Sequence, residues 1–348
     1  MASPNLKALI LAGGEGTRLR PLTLNTPKPI VPIVTVPLLR YQLELLRQHG
    51  IREVVLSLSY QPQRIEQVLG DGSGFGVHIH YVVETVPLGT AGAFKNAENL
   101  LDTATVVFNG DILCELNLTE VIRLHQERQS TATLVLTRVE NPSAYGLVET
   151  ERNGRITRFL EKPAPHEITC DTINAGTYVL EPEVLRWIPA AQAHSFEKGL
   201  FPTLLKNSRP MNAFVSDGYW MDVGTPQKYL QVHQDILSKR FSPALMVPLS
   251  QVEAADVRCT NSVVDLTCRI GGGCQLLSSC IGSDCVIGRN AVIENSVIWP
   301  GVTIGESARL SGCIVAGQSE IGCNTVLSPG VVLGDRCKVT DYSRLAVA

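Results

Sequence analysis

The sequence predicts an α/β domain built on a mostly parallel, Rossmann-like sheet, followed by a parallel β-helix. Three observations carry this. Short apolar runs alternate with helical segments through the first half of the chain, the pattern of a parallel sheet covered by helices. A glycine-rich loop bearing cations follows the first of those runs. From about residue 257 charge falls, helical periodicity vanishes, and aliphatic residues recur in steps of mostly six with five at intervals. A chain of 348 residues with 44% hydrophobic content has room for two cores.

The expected strands of the first domain are residues 8–11, 54–58, 79–83 and 105–108. Between the first two, Leu39, Leu43 and Leu46 recur at helical spacing, and Gly50 supplies a stop. Helices at about 62–69 and 90–101 fill the next gaps, with Thr90 as a possible N-cap of the second. This order sets the glycine loop after strand one and Asp111 just after strand four. Ligands of open parallel sheets bind outside the carboxyl ends of the strands, so both features point to one crevice. Residues 227–239 read as a helix, with Thr225 and Pro226 as cap and first-turn residues. The expected division is therefore 1–240, a connector at 241–256, and 257–348.

In the last part, Val264, Ile281, Ile298 and Val315 fall seventeen residues apart, and Ile281, Ile287, Ile304 and Ile321 are each followed by glycine. A coil of seventeen with hexapeptide steps is a three-faced solenoid whose aliphatic positions stack inside. A β-sandwich would place turns every ~8–12 residues, which this spacing does not.

The formal net charge of −3 gives no support for broad binding of nucleic acid or a membrane surface. No signal-like apolar run follows the N terminus and no stretch reaches the length of a membrane span, so a cytoplasmic protein is expected. Eight of the ten cysteines lie between Cys259 and Cys337 without a Cys-x-x-Cys pair. They read as reduced, small core residues rather than as a zinc ribbon.

The chemistry concentrates in residues 11–29, LAGGEGTRLRPLTLNTPKP. Gly13, Gly14 and Gly16 let the backbone turn tightly and bring N–H groups near phosphate oxygens. Arg18, Arg20 and Lys28 add charge-assisted donors. A dinucleotide fingerprint from Gly14 would need glycine where Leu19 stands, and a P-loop would need Gly-Lys-Ser/Thr after four residues. Neither fits.

Gly-Gly-x-Gly-Thr-Arg-Leu-x-Pro-Leu-Thr followed by Lys-Pro resembles the signature of the sugar-1-phosphate nucleotidyltransferases, or nucleotide-sugar pyrophosphorylases. The resemblance implies transfer of a nucleotidyl group from a nucleoside triphosphate to a sugar 1-phosphate, with Leu11, Gly13, Gly14, Gly16, Thr17 and Arg18 on the nucleotide and Lys28 beside Arg18 in catalysis. Asn109-Gly110-Asp111 and Trp220-x-Asp222-Val-Gly-Thr-Pro resemble the metal-binding segments, which implies Mg2+ on Asp111 and Asp222. Glu161-Lys162-Pro163 resembles the sugar-phosphate segment, while Tyr145-Gly146 and Ile173-Asn174-Ala175-Gly176 resemble the sugar-binding ones. Gly146, Glu161, Lys162 and Asn174 are the expected contacts. The segment Pro87–Gly92, with Gly89 and Thr90, is assigned to the base. It is most similar to the mannose-1-phosphate guanylyltransferase group, so GTP and mannose 1-phosphate are the expected substrates, with thymidylyl, uridylyl or adenylyl transfer to glucose 1-phosphate as alternatives. Resemblance to hexapeptide proteins implies that the β-helix is left-handed.

Two other classes compete. A non-catalytic regulatory subunit of a pyrophosphorylase complex should show damage in the loop or carboxylates, and Arg18, Lys28, Asp111, Lys162 and Asp222 are all present. A β-helix acyltransferase commonly needs a histidine base. All seven histidines lie at or before His233, so the solenoid is expected to support homo-oligomer assembly instead.

Overall fold

The computed structural model describes residues 6–245 and 256–347, so most of the connector expected at 241–256 lies outside the described residues. In chain order the early elements are β1 (Lys7–Leu11), β2 (Pro32–Ile33), β3 (Val36–Pro37), α1 (Leu38–Gln48), β4 (Glu53–Leu58), α2 (Pro62–Leu69), β5 (His78–Val83), α3 (Gly89–Asn96) and β6 (Thr105–Asn109). There follow β7 (Ile112–Cys114), α4 (Leu118–Glu127), β8 (Ala132–Arg138), β9 (Gly146–Thr150), β10 (Ile156–Glu161), β11 (Thr172–Leu180), α5 (Phe201–Lys206), β12 (Met211–Val215) and α6 (Pro226–Leu237). The chain forms two compact units. One holds residues up to Gly14 with Gln42–Trp220; the other holds Glu15–Tyr41 with the chain from Met221 onwards.

The first unit is a nine-stranded mixed sheet. Strands β6, β1, β4 and β5 lie side by side and parallel. Ala8, Leu9 and Ile10 of β1 are wholly buried, as a central strand covered on both faces requires. β11 then joins β6 antiparallel and brings in β8 and the β9–β10 hairpin, so the second half of the sheet changes direction. An aromatic cluster fixes the layer against it, with Phe196 and Phe201 stacked at 5.5 Å and Tyr178 edge-on to Phe201 at 5.1 Å. That cluster pins the segment 194–200 to α3, where the amides of Ala91 and Gly92 both donate to the His194 carbonyl at 3.0 Å.

The helix expected at 90–101 is shorter. It starts at Gly89 and ends at Asn96, and a separate 3-10 turn covers Glu98–Leu100. Leu88, not Thr90, is its N-cap, because the Thr90 hydroxyl inside the first turn is used by the 195–197 segment. α6 does start as read, with the Thr225 hydroxyl accepting from the Lys228 amide at 3.3 Å and Pro226 in the first turn.

In the second unit, short strands stack into three parallel sheets of six, five and five. Val264, Ile281, Ile298 and Val315 occupy one register column, buried in a continuous aliphatic core. The corners are turned by residues with left-handed backbone, such as Asn261, Ser278 and Asn295, with φ of 46°, 46° and 49°. Asparagine and serine are short polar residues, and asparagine above all tolerates this conformation. Inside, a ladder ties coil to coil: the amides of Ser279, Ser296 and Cys313 donate to the hydroxyls of Ser262, Ser279 and Ser296 at 3.1, 3.2 and 3.2 Å. Cys274, Cys285 and Cys313 are buried small side chains of this interior, Cys280 is buried outside that core, and the other four solenoid cysteines are half-buried.

Candidate active site

In the first unit the carboxyl end of β1 is the organising point. The Leu11 carbonyl accepts from the Gly110 amide at 2.9 Å, which sets the Asp111 turn against the start of the glycine loop. A Cβ on Gly110 would come within 2.7 Å of that carbonyl, so the approach needs glycine. Gln42 holds the turn from below, its amide donating to the carbonyls of Asn109 at 2.9 Å and Ile112 at 2.8 Å. Asp111 is half-buried between them.

Gly13 lies beside Ser59, whose hydroxyl donates to its carbonyl at 2.6 Å, and beside Glu84. A Cβ on Gly13 would sit 3.2 Å from Glu84 Oε1. Glu84 is a buried carboxylate that accepts from the Ser57 hydroxyl at 3.0 Å and from the Leu88 amide at 2.9 Å. Gly89 follows with φ of 70°, and a Cβ there would meet the His194 carbonyl at 2.7 Å. Leu11, Gly13, Glu84 and Gly89 thus belong to one corner.

A second cluster gathers the sugar-segment residues. Gly146 pairs with Glu161 across the β9–β10 hairpin, and a Cβ on Gly146 would lie 2.9 Å from Glu161 Oε2. Burial, reinforced by the Glu197 carboxylate, raises the Glu161 pKa above its ordinary value, while Lys162 and Lys198 pull it back. Lys162 is exposed, with φ of 52°, and its amide donates to the Tyr145 carbonyl at 2.9 Å. The Asn174 amide donates to the Tyr178 hydroxyl at 2.8 Å. Glu197 Oε2 accepts from Thr90 at 3.0 Å and Ser195 at 2.6 Å. Thr90 therefore joins this cluster as well as following Gly89. The Trp220 ring stands edge-on to Tyr145 at 5.5 Å.

The second unit carries the loop cations Arg18 and Lys28. Gly16 has φ of 66°, and a Cβ there would lie 3.1 Å from Lys28 Cβ. The Thr23 hydroxyl closes the turn by donating to the Gly16 carbonyl at 2.7 Å. Thr17 opens a short 3-10 turn in which Leu19 is buried and Arg18 is exposed. Arg18 and Asp222 meet at Gly224, where a Cβ would lie 3.3 Å from Arg18 Nη2 and 3.4 Å from Asp222 Oδ2. Asp222 Oδ1 is ion-paired with Lys228.

The expected residues thus divide by unit. Leu11, Gly13, Gly14, Gly89, Thr90, Asp111, Gly146, Glu161, Lys162 and Asn174 are in the first, and Gly16, Thr17, Arg18, Lys28 and Asp222 in the second. Gln42, Glu84 and Glu197 were not singled out from the sequence. Asn109 Oδ1 and Gln42 Oε1 are buried and make no hydrogen bond among the described residues, and with the Asp111 carboxylate they are oxygen donors of the kind a hard cation takes. Among the described residues no group of three or more His, Cys, Asp or Glu side chains is placed to hold a metal unaided. No helix among them is long and apolar enough to cross a membrane.

Comparison with known proteins settles the family. The nucleotidyl transferase family matches residues 7–239, and the EIF2B subunit epsilon LbH domain matches residues 250–345. The chain belongs to the nucleotidyl transferase family. A mannose-1-phosphate guanyltransferase of Yarrowia lipolytica is 40% identical over 90% of this chain and 91% of its own. The mannose-1-phosphate guanylyltransferase of Mycobacterium tuberculosis is 36% identical over 90% and 84%. A UTP–glucose-1-phosphate uridylyltransferase of Synechocystis is 36% identical over 90% and 88%. The crystal structure of HddC from Yersinia pseudotuberculosis is 31% identical, with a TM-score of 0.57 over 65% of this chain and 97% of that one. This nucleotidyl transferase is a sugar-1-phosphate nucleotidyltransferase whose C-terminal part is a left-handed β-helix. Members of the family generally use a divalent metal.

Proposed function

We propose that the chain condenses GTP with mannose 1-phosphate, giving GDP-mannose and pyrophosphate. A phosphate oxygen of the sugar phosphate attacks the α-phosphorus in line, the bond to the β-phosphate's bridging oxygen breaks, and pyrophosphate departs with that electron pair. Arg18 and Lys28 bind the triphosphate, Lys162 the acceptor phosphate, and Gly146, Glu161 and Asn174 the sugar. Asp111 and Asp222 would hold Mg2+, which when bound supplies charge neutralisation on the phosphates.

The observation that carries the choice of base is Glu84. A carboxylate has about four lone-pair sites, of which Ser57 and Leu88 take one each, so both oxygens retain acceptor capacity. Guanine presents two adjacent donors, N1–H and N2–H2, that match a two-oxygen acceptor; uracil and thymine present one. The names of two of the relatives above agree with this reading. We also propose residues 1–240 as the catalytic domain, 241–256 as connector and 257–348 as the β-helix, in a cytoplasmic homo-oligomer. The two family matches support the division.

The test is a matrix of nucleoside triphosphates against sugar 1-phosphates with Mg2+, read by pyrophosphate release. GTP with mannose 1-phosphate should have the highest specificity constant. A preference of about tenfold or more for UTP, dTTP or ATP rejects the guanine reading and leaves the reaction class intact.

A further inference from the structure

We propose that the β-helix is a positioning frame for the cation-bearing segment 15–41, acting through Trp299 and Tyr229 at the β2–β3 hairpin and through Asp335 at Asn25. The inference rests on the reading of Arg18 and Lys28 as triphosphate ligands. It concerns residues that lie within one compact unit.

The hairpin is strained. Val34 and Thr35, both β-branched, turn it with φ of 45° and 70°, between the pairs Pro32↔Pro37 and Ile33↔Val36. Such backbone persists only where its surroundings over-determine it. Here two tyrosines do so. Tyr41 donates to the Ile33 carbonyl at 2.8 Å, and the fully buried Tyr229 donates to the Pro32 carbonyl. Tyr229 in turn accepts from the indole N–H of Trp299 at 2.9 Å. Trp299 is a buried residue of a solenoid coil, and its own amide donates to the Val315 carbonyl of the next coil at 2.9 Å. The chain of contacts therefore runs from a solenoid coil to the strained turn.

A second anchor lies further along the solenoid. Asp335 accepts from the Gly317 amide at 3.0 Å with one oxygen and from the Asn25 side-chain amide at 3.2 Å with the other. Beside it, a Cβ on Gly334 would come 3.2 Å from Pro21 Cβ, so glycine allows the two segments to touch. Lys28 lies between Asn25 and Pro32, and Arg18 just ahead of Pro21. Both cations are thus carried by a segment with two of its fixed points tied to the solenoid, one through Tyr229 and one at Asn25. None of the solenoid residues touches substrate in this scheme, so they are positioning residues.

Trp299→Phe keeps an aromatic side chain but loses the indole donor, while Tyr229→Phe removes both hydrogen bonds. A misplacement of ~1 Å far from the chemistry can cost about 100-fold in rate. In the full chain each variant should lower kcat/KM for the triphosphate by about tenfold or more, well below its Tm, with the KM for sugar phosphate changed less than about twofold. Ile293→Val, a solenoid core substitution that makes neither anchoring contact, should lower Tm and leave the kinetics unchanged. Asp335→Ala, at an exposed contact, gives a variant that folds even if a core substitution does not, and it too should weaken triphosphate use. Wild-type kinetics in Trp299→Phe, Tyr229→Phe and Asp335→Ala, alongside an impaired Arg18→Ala, overturns the frame. Wild-type activity of Arg18→Ala overturns the phosphate reading itself.

Discussion

Asp111 and Asp222 present carboxylates of quite different setting, one in a turn clamped by Gln42 and the other ion-paired with Lys228. Both are expected to be indispensable. Asp111→Asn or Asp222→Asn should reduce turnover by orders of magnitude with Tm retained, because metal charge stabilisation contributes several kcal/mol; wild-type turnover at limiting Mg2+ would remove that residue from the ligand set. Glu161 offers a pH test. Burial and the nearby Glu197 raise its pKa from an ordinary 4.5, so the folded chain holds this proton more tightly than the unfolded one. Its contribution to stability is therefore lost as pH rises from 4.5 through the raised value, and Glu161→Gln should flatten that decline in chemical denaturation. An unchanged pH slope would show that Glu161 is not the group responsible. The sequence made the local parts of this site legible, since Gly13, Gly16, Arg18 and Lys28 lie in one run and their chemistry follows from residue type. Glu84, Glu197 and Gln42 were not legible, because each depends on at least one neighbour distant in sequence, as with Ser57 for Glu84 and Thr90 for Glu197, 27 and 107 positions away.

Among the elements, those with local punctuation read most directly. Gly50, with φ of 79°, does end α1, and Thr225 with Pro226 does open α6. The antiparallel half of the sheet is not legible in the sequence, because β8 and β11 are buried throughout most of their length and carry no alternation that would betray direction. α6 also carries a pH-sensitive element. His233 is fully buried, its Nδ1 donating to the Tyr229 carbonyl at 2.7 Å, and burial lowers its pKa from 6.5 to about 4. The unfolded chain therefore binds a proton that the folded chain does not between those values, so stability is full above pH 6.5 and falls as pH drops toward 4. The shift corresponds to about 3 kcal/mol in total. His233→Leu should lose this acid-side slope, measured by urea denaturation from pH 7 to 4; a slope equal to wild type would show that another group titrates there. In the solenoid, Ser279→Ala should cost about 1–3 kcal/mol, because it strips the acceptor from the buried Ser296 amide. Retention of wild-type Tm would mean that the ladder is not a stabilising element.

At the scale of the whole molecule, the β-helix meets two demands at once. A parallel solenoid leaves an open strand edge at each end, and such edges need covering, which favours association of copies. Yet the same unit also contains the segment 15–41 and α6, so the solenoid is not an appendage that can be removed without consequence. A chain ended ahead of residue 256 would lose Trp299 and Asp335 together, leaving Tyr229 without its indole donor and Asn25 without its acceptor. The prediction is that truncation abolishes nucleotidyl transfer by about 100-fold or more even where the remainder stays soluble, because the strained β2–β3 turn relaxes and the cations beside it move. Light scattering on the full chain should show a homo-oligomer, and on the truncated chain a smaller species. A monomeric full chain would refute the assembly role by itself. A truncated chain with full activity would refute the dependence of catalysis on the solenoid, and the two outcomes are independent because one reads mass and the other reads pyrophosphate release.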